Sequence, residues 1–145
     1  MRFLVQKIKS LKIYKEEKLI LKLNDEPCYL VYVGIERDDD NKDLQEIVKN
    51  FEDLQIIEEG GRFLKKIKEI KPKLVFVSNI TLLANFSKGR INFNSSINSQ
   101  LAKEIFENLI GLFKNYGYNV FSTDFGSYLE IESLNQGPIN FYLTF

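Results

Sequence analysis

The sequence contains no histidine and no tryptophan, and only one cysteine, one methionine and three prolines. Without histidine, no Ser-His-Asp or Cys-His catalytic arrangement can form, and imidazole ligation of a metal is excluded. Cys28 alone builds neither a thiolate zinc site nor an intrachain disulfide. Its place in an apolar run marks an inert core thiol, and a reduced, cytoplasmic setting is the simplest reading. No run of 18 apolar residues occurs, so no bilayer span is expected. Residues 1–10 alternate apolar and basic side chains and lack a signal-peptide core. Internal repeats, low-complexity tracts and Gly/Ser/Pro-rich linkers are missing too. The Asp38-Asp39-Asp40 run lacks the alternating ligand pattern of a calcium loop and reads as a helix start with solvated carboxylates. No metal or cofactor is expected.

What is present is an ordinary globular composition, with 44% apolar and 28% charged residues in 145. That length fits one domain over residues 1–145, large enough to bury roughly 68–70% of its unfolded surface. Twenty basic and twenty acidic residues cancel, but unevenly along the chain. Residues 1–23 carry seven basic and two acidic side chains, residues 24–59 three and twelve, and residues 60–73 six and one. Residues 74–145 are near neutral, with four and five. A mixed, solvated surface accounts for this simply; two basic segments brought together by the fold would instead suit a polyanion.

Hydrophobic periodicity predicts many strands and two main helices. Phe3 and Val5 fall on one face of a strand, with Leu4, Gln6 and Ile8 on the other. Leu11–Tyr14 and Leu19–Leu23 flank a polar hairpin turn at residues 15–18. Cys28–Ile35 is nearly continuous in apolar residues, as in a strand buried on both faces. Asp40 or Asn41 caps a predicted helix through about Phe51, with Leu44, Ile47, Val48 and Phe51 at helical spacing. Leu54–Ile57 reads as a strand and Gly60-Gly61 as a loop. Leu74–Val77 is a strand continuing into residues 78–82. Ser99 caps the clearest helix, to about Tyr116, with the stripe Leu101, Ala102, Ile105, Phe106, Leu109, Ile110 and Phe113. Gly117 stops it. Strands follow near Asn119–Phe121, Leu129–Leu134 and Ile139–Thr144. Strands outnumber helices, which predicts an α+β fold with helices laid on curved sheets.

Several short motifs now align with one family. Met1-Arg2 followed by Leu4-Val5-Gln6-Lys7-Ile8, Ser78-Asn79-Ile80-Thr81-Leu82, Lys88-Gly89-Arg90 with Phe93, Phe125-Gly126, and Asn135-Gln136-Gly137-Pro138-Ile139 occur in that order. Together they resemble the signatures of the bacterial and eukaryotic D-aminoacyl-tRNA deacylases, at compatible spacing over the whole chain. The resemblance implies a homodimer of barrel-like curved sheets flanked by helices, with active sites at the subunit interface. It also implies hydrolysis of the ester joining a D-amino acid, or glycine, to the 3′ end of tRNA. An aminoacyl ester is already activated, so positioning a water and stabilising an oxyanion suffice without a triad. In the family the substrate's own ribose hydroxyl assists.

The resemblance assigns the catalytic segment to Ser78, Asn79, Ile80 and Thr81. A nucleophilic threonine needs a base, and no histidine exists to serve. Thr81 is therefore expected to orient the substrate, with the backbone N–H groups around Asn79 and Ile80 as oxyanion donors. Read without the family, Ser78 and Thr81 are strand-end hydroxyls bonded to backbone. Gly137-Pro138 alone reads as an ordinary trans turn; the resemblance implies a cis pair, entering the partner's active site and excluding L side chains by clash. Phe125 is expected to contact the terminal adenine or to pack in the core. Lys88 and Arg90 approach tRNA phosphates or form a solvated loop.

The sequence departs from the family pattern inside its motifs. Asn79 stands where the family has Gln, and Asn140 where Thr follows the Gly-Pro pair. Lys7 replaces an Arg that helps hold the Gly-Pro loop, and lysine cannot reproduce a planar fork. Gln55 stands for another Arg, and Thr123 for a Gly. A weakly catalytic or inactive homologue that binds tRNA or another nucleic acid is the alternative reading.

Overall fold

The computed structural model describes residues 1–24 and 27–145. In chain order, β1 (Arg2–Lys15) and β2 (Lys18–Leu23) form a hairpin, followed by β3 (Cys28–Gly34) and α1 (Leu44–Glu52). A small hairpin of β4 (Ile57–Glu59) and β5 (Arg62–Lys65) leads to the one-turn helix α2 (Ile67–Ile70) and β6 (Lys73–Ser78). A second small hairpin, β7 (Asn85–Ser87) and β8 (Arg90–Asn92), precedes α3 (Ser99–Asn115), β9 (Val120–Ser122) and β10 (Glu130–Thr144). Two 3₁₀ turns, Arg37–Asn41 and Ile80–Leu83, follow β3 and β6.

The main sheet runs β10-β1-β3-β6-β9, with β2 also paired to β1. Pairs with β1 are antiparallel, whereas β3, β6 and β9 run parallel. Alternation explains why β3 reads as continuously apolar. Tyr29, Val31 and Val33 enter the core beneath the helices, while Cys28 and Leu30 enter a second core on the opposite face. In β6, Leu74 and Phe76 divide from Val75 and Val77 in the same way. Burial pushes the Cys28 thiol up to about 11, so it stays protonated and unreactive at neutral pH.

β1 serves both cores. Phe3 and Val5 face the helices, and Ile8 faces the second core by simple alternation. The register with β10 then shifts between Ile8 and Ser10, so Leu11 and Ile13 join Ile8 instead of reversing. That bulge curls the sheet around the second core. On the helical side, Phe3, Phe51, Phe76 and Phe113 interlock, with ring centroids 4.9 Å apart for Phe76–Phe113 and 5.1 Å for Phe51–Phe113.

Local boundaries correct several sequence expectations. Asp43, not Asp40 or Asn41, caps α1, its carboxylate accepting from the Gln45 N–H at 2.8 Å. The acidic run is not simply solvated either: Asp39 is 1% exposed and accepts from the Met1 ammonium at 2.7 Å. That ion pair pulls residues 37–41 into their own 3₁₀ turn, so the α-helix starts two residues later. Asn98, not Ser99, caps α3 through the Leu101 N–H at 2.9 Å. Leu54 is not in a strand, because its N–H closes the end of α1 on the Phe51 carbonyl and its carbonyl accepts from Ile67. The strand there begins at Ile57. Residues after Ser78 leave the sheet as a 3₁₀ turn, and the two expected carboxyl-terminal strands are one, β10. The Glu16-Glu17 and Gly60-Gly61 turns both use left-handed φ, as two-residue hairpins require.

Two contacts tie this frame to the segment after β6. Arg2 pairs through Nε with Glu36 at 2.9 Å and donates from Nη1 to the Leu82 carbonyl at 3.1 Å. Gly34 lies so close to the 3₁₀ turn that an added Cβ would meet Leu83 Cδ2 at 2.8 Å and Leu82 Cβ at 3.2 Å. Gly34→Ala is therefore expected to lower stability by about 1–3 kcal/mol through overpacking, read as a lower denaturant midpoint at unchanged slope.

Burial pushes the Glu36 carboxyl up, but hydrogen bonds and charge from the Met1 ammonium and Arg2 outweigh it, and the net shift is downward. A carboxylate held below its unfolded value of about 4.3 stabilises the fold at neutral pH. That contribution disappears as pH falls through the lowered folded-state value. Melting temperature should thus drop on acidification below about pH 4.3. Glu36→Gln should be less stable at pH 7, with the gap to wild type closing as pH falls.

Candidate functional site

The parallel strands β3, β6 and β9 end at one edge of the sheet, the edge where ligands collect in folds with parallel strands. There Val33 is paired with Ser78. The ladder runs one bond further, with the Asn79 N–H donating to the Val33 carbonyl at 2.8 Å. A cavity of about 600 Å³ opens at this edge. Its polar wall is Ser78, Asn79, Ile80 and Thr81, and Phe125, Gly126, Ser127 and Tyr128 face it from the β9–β10 connection. Tyr32 and Val77 contribute from the strands, and Ser96 and Ala102 from the approach to α3 and the helix itself.

Asn79, Thr81 and Ser78 each have a defined partner. Both the N–H and the hydroxyl of Thr81 donate to Asn79 Oδ1, the N–H at 2.9 Å. Two donors converging on one atom identify it as the carbonyl oxygen of the amide. The Thr81 hydroxyl hydrogen is thereby engaged, and its oxygen presents lone pairs to an incoming donor. Ser78 Oγ accepts from the Gly126 N–H at 2.9 Å, which binds the Phe125-Gly126 segment to the end of β6. Phe125 is half-buried, with its ring 5.7 Å from Phe106 of α3. It lines the cavity and packs on the core at once.

Two sequence expectations are narrowed here. The Asn79 N–H, expected as an oxyanion donor, already serves the Val33 carbonyl. The Ile80 N–H has no acceptor among the described residues and remains available. The shorter Asn79 side chain turns back on Thr81 instead of reaching across the cavity. Among the described residues, no Asp, Glu, Lys or Arg lines the cavity. Burial raises the Tyr32 phenol further, so it stays neutral and able to donate.

Gly137 and Pro138 do not line this cavity. They belong to a protrusion of β10. β1 pairs Gln6 with Asn140 and Ile8 with Asn135, so residues 136–139 bulge out opposite Lys7. The Gly137-Pro138 peptide is cis, as the motif resemblance implied. Gly137 has φ +118, and a Cβ there would meet Ile139 N at 2.6 Å, so only glycine fits. The neck of the bulge is closed by Asn135 Nδ2 donating to Asn140 Oδ1 at 2.9 Å. Sequence reading singled out Asn140 only as a departure and missed this pairing. Two Asn five residues apart carry no signal until a register shift folds them together. Lys7 instead lies 3.6 Å from Glu58 of β4.

Lys88 and Arg90 sit on the β7–β8 hairpin, exposed and outside the cavity wall. The hairpin is rooted at the cavity rim, because Asn85 Nδ2 donates to Ser95 Oγ at 3.3 Å and to the Leu83 carbonyl at 3.4 Å. Among the described residues no His/Cys/Asp/Glu group could hold a metal ion, and no helix is long and apolar enough to cross a membrane.

Comparison with known proteins completes the description. A family model described as D-Tyr-tRNA(Tyr) deacylase matches residues 4–144. A D-aminoacyl-tRNA deacylase from Thermosipho africanus (strain TCF52B) is 29% identical over 145 residues, covering 99% of this chain and 96% of the relative. One of the same name from Nautilia profundicola is 31% identical over 144 residues, covering 99% of each. A solved structure titled c-Myc DNA Unwinding Element Binding Protein shares the fold, with a TM-score of 0.85 at 22% identity over 99% of this chain and 98% of its own. With a match spanning nearly its whole length and all five motifs in order, the chain belongs to the D-Tyr-tRNA(Tyr) deacylase family.

Proposed function

We propose that this protein hydrolyses the ester bond of D-aminoacyl-tRNA, and of glycyl-tRNA, releasing the free amino acid and tRNA for translation quality control in the cytoplasm. The observation that carries this reading is a cavity, in a chain the family model matches over residues 4–144, walled by oriented hydroxyls and amides with no carboxylate, lysine or arginine among the described residues of its lining. Such a wall suits an activated ester, which needs orientation and charge stabilisation more than a strong base.

Water attacks the ester carbonyl, and the developing oxyanion is met by the Ile80 N–H. A single donor of this kind is worth about 3–4 kcal/mol of barrier. Thr81 Oγ1, its hydrogen held by Asn79, accepts from the substrate's α-ammonium. The carbon–oxygen bond to the ribose breaks; the neighbouring ribose hydroxyl passes its proton to the leaving oxygen and takes one from the attacking water, so the proton transfer closes within the substrate. Phe125 borders the terminal adenine. Ser78 acts as a positioning residue, holding Gly126 and thereby Phe125 against the strand end.

Gly137 and Pro138 supply the chiral filter from a second copy of the chain. Their exposure on a protruding bulge, away from their own cavity, supports a homodimer with shared sites. A backbone wall excludes an L side chain by clash and cannot reject glycine. Lys88 and Arg90 meet the tRNA phosphates.

Single-turnover hydrolysis of matched D-, L- and glycyl-tRNA tests the activity. The D and glycyl esters should disappear and the L ester persist. The rate, corrected for the uncatalysed reaction, should show no carboxylate, lysine or arginine ionisation beyond that of the substrate amine, because none of these side chains lines the cavity among the described residues. No loss of any ester above the uncatalysed rate would leave a nucleic-acid-binding homologue. Asn140→Ala opens the neck of the filter bulge. It should reduce the D-over-L preference by up to about tenfold, the value of one hydrogen bond, measured as the ratio of the two single-turnover rates.

A further inference from the structure

The β7–β8 hairpin carries a feature that the proposed chemistry leaves unused. Phe86 and Ile91 are directly paired across the two strands and are 77% and 64% exposed. A side-by-side aromatic and aliphatic pair on a two-stranded ribbon forms a flat apolar face of its own. Single exposed hydrophobics are ordinary, but a paired platform of this exposure on a short ribbon is not. The ribbon's other face carries Asn85, Ser87, Arg90 and Asn92, and its turn carries Lys88.

The ribbon itself carries charge of one sign. Residues 79–98, between β6 and α3, contain no Asp or Glu and hold Lys88 and Arg90, while Glu36 and Asp38 approach Asn94 and Ser95, beyond the end of β8. Neither Lys88 nor Arg90 has a carboxylate partner among the described residues. The ribbon is anchored to the cavity rim through Asn85, Leu83 and Ser95, and from the outside by Arg37, whose Nη2 donates to the Asn94 carbonyl at 3.0 Å. An apolar, aromatic platform with the unpaired Lys88 at its turn matches what single-stranded nucleic acid needs: a ring face for a base and positive charge for the phosphates.

We propose that the Phe86–Ile91 face is a second RNA contact, on which an unpaired base upstream of the 3′-terminal nucleotide stacks while Lys88, at the ribbon's turn, meets a flanking phosphate. This deepens the deacylase reading and rests on it for the identity of the RNA. The ribbon stands at the rim of the cavity assigned to the terminal nucleotide, so the single-stranded tail leaving that cavity is the segment within reach. Base–aromatic stacking tolerates any base, so the contact adds affinity for a 3′ tail without selecting among tRNAs.

The absence of tryptophan in the chain provides a clean probe. Phe86→Trp places the protein's only indole on the platform. Its fluorescence should be quenched by deacylated tRNA with an intact single-stranded 3′ end. The quench should be lost with tRNA trimmed of that tail and weakened by added salt. In a second measurement, Phe86→Ala should lower kcat/KM for D-aminoacyl-tRNA about tenfold more than it lowers kcat/KM for a D-aminoacyl-adenosine ester, which has no upstream base. Equal losses on the two esters, or quenching indifferent to the tail, overturn the proposal. An indole signal that follows protein concentration without RNA also overturns it, assigning the face to a second copy. If the wild type hydrolyses neither ester, the deacylase reading fails, and tail-dependent quenching still decides the platform separately.

Discussion

The parallel pairing of β3, β6 and β9 is the constraint on which the rest depends. Parallel strands end at a common edge, and there the chain leaves the sheet three times. The Asn79 N–H extends the β3–β6 ladder by one bond onto the Val33 carbonyl, so the segment that walls the cavity begins as a continuation of the sheet and not as a free loop. Both faces of β3 and β6 are buried, each against its own core, which fixes these strands in the middle of the molecule. Gly34 then allows Leu82 and Leu83 to close over the end of β3, and Arg2 holds the Leu82 carbonyl from the other side.

With that edge in place, a site without histidine becomes chemically coherent. Its polar atoms are hydroxyls and amides whose orientations are set by one another: Thr81 by Asn79, and Gly126 by Ser78. None of them changes protonation near neutrality, so the protein contributes fixed dipoles. Preorganised donors of this kind need no reorganisation when charge develops. The substitution of Asn where the family has Gln fits the same logic. The shorter amide reaches its own 3₁₀ turn and fixes the Thr81 hydroxyl.

β1 joins the two ends of the molecule's function. Its first half pairs with β3, beside the cavity, and the bulged region opposite Lys7 extrudes residues 136–139 of β10. The sheet that builds one copy's cavity wall therefore also builds the protrusion proposed to close another's. Asn135 and Asn140 close the neck of that protrusion, at a position where the family pattern has a threonine.

Much of this was legible in the sequence. The double-sided apolar run of β3, the α3 stripe from Leu101 to Phe113, and the hairpin at the polar break of residues 15–18 follow from hydrophobic patterning, which is local. The motif set identified the family and the cavity segment. What the sequence left open depended on partners far away along the chain. Asp39 is buried because the Met1 ammonium, 38 residues away, meets it, and that contact moved the start of α1. The occupied Asn79 N–H depends on a strand 46 residues earlier. The Asn135–Asn140 clamp and the outward bulge depend on a register between residues more than 120 apart. Periodicity reports which face a residue turns toward a core, whereas the hydrogen-bond partner it finds there is set only when the strands pair.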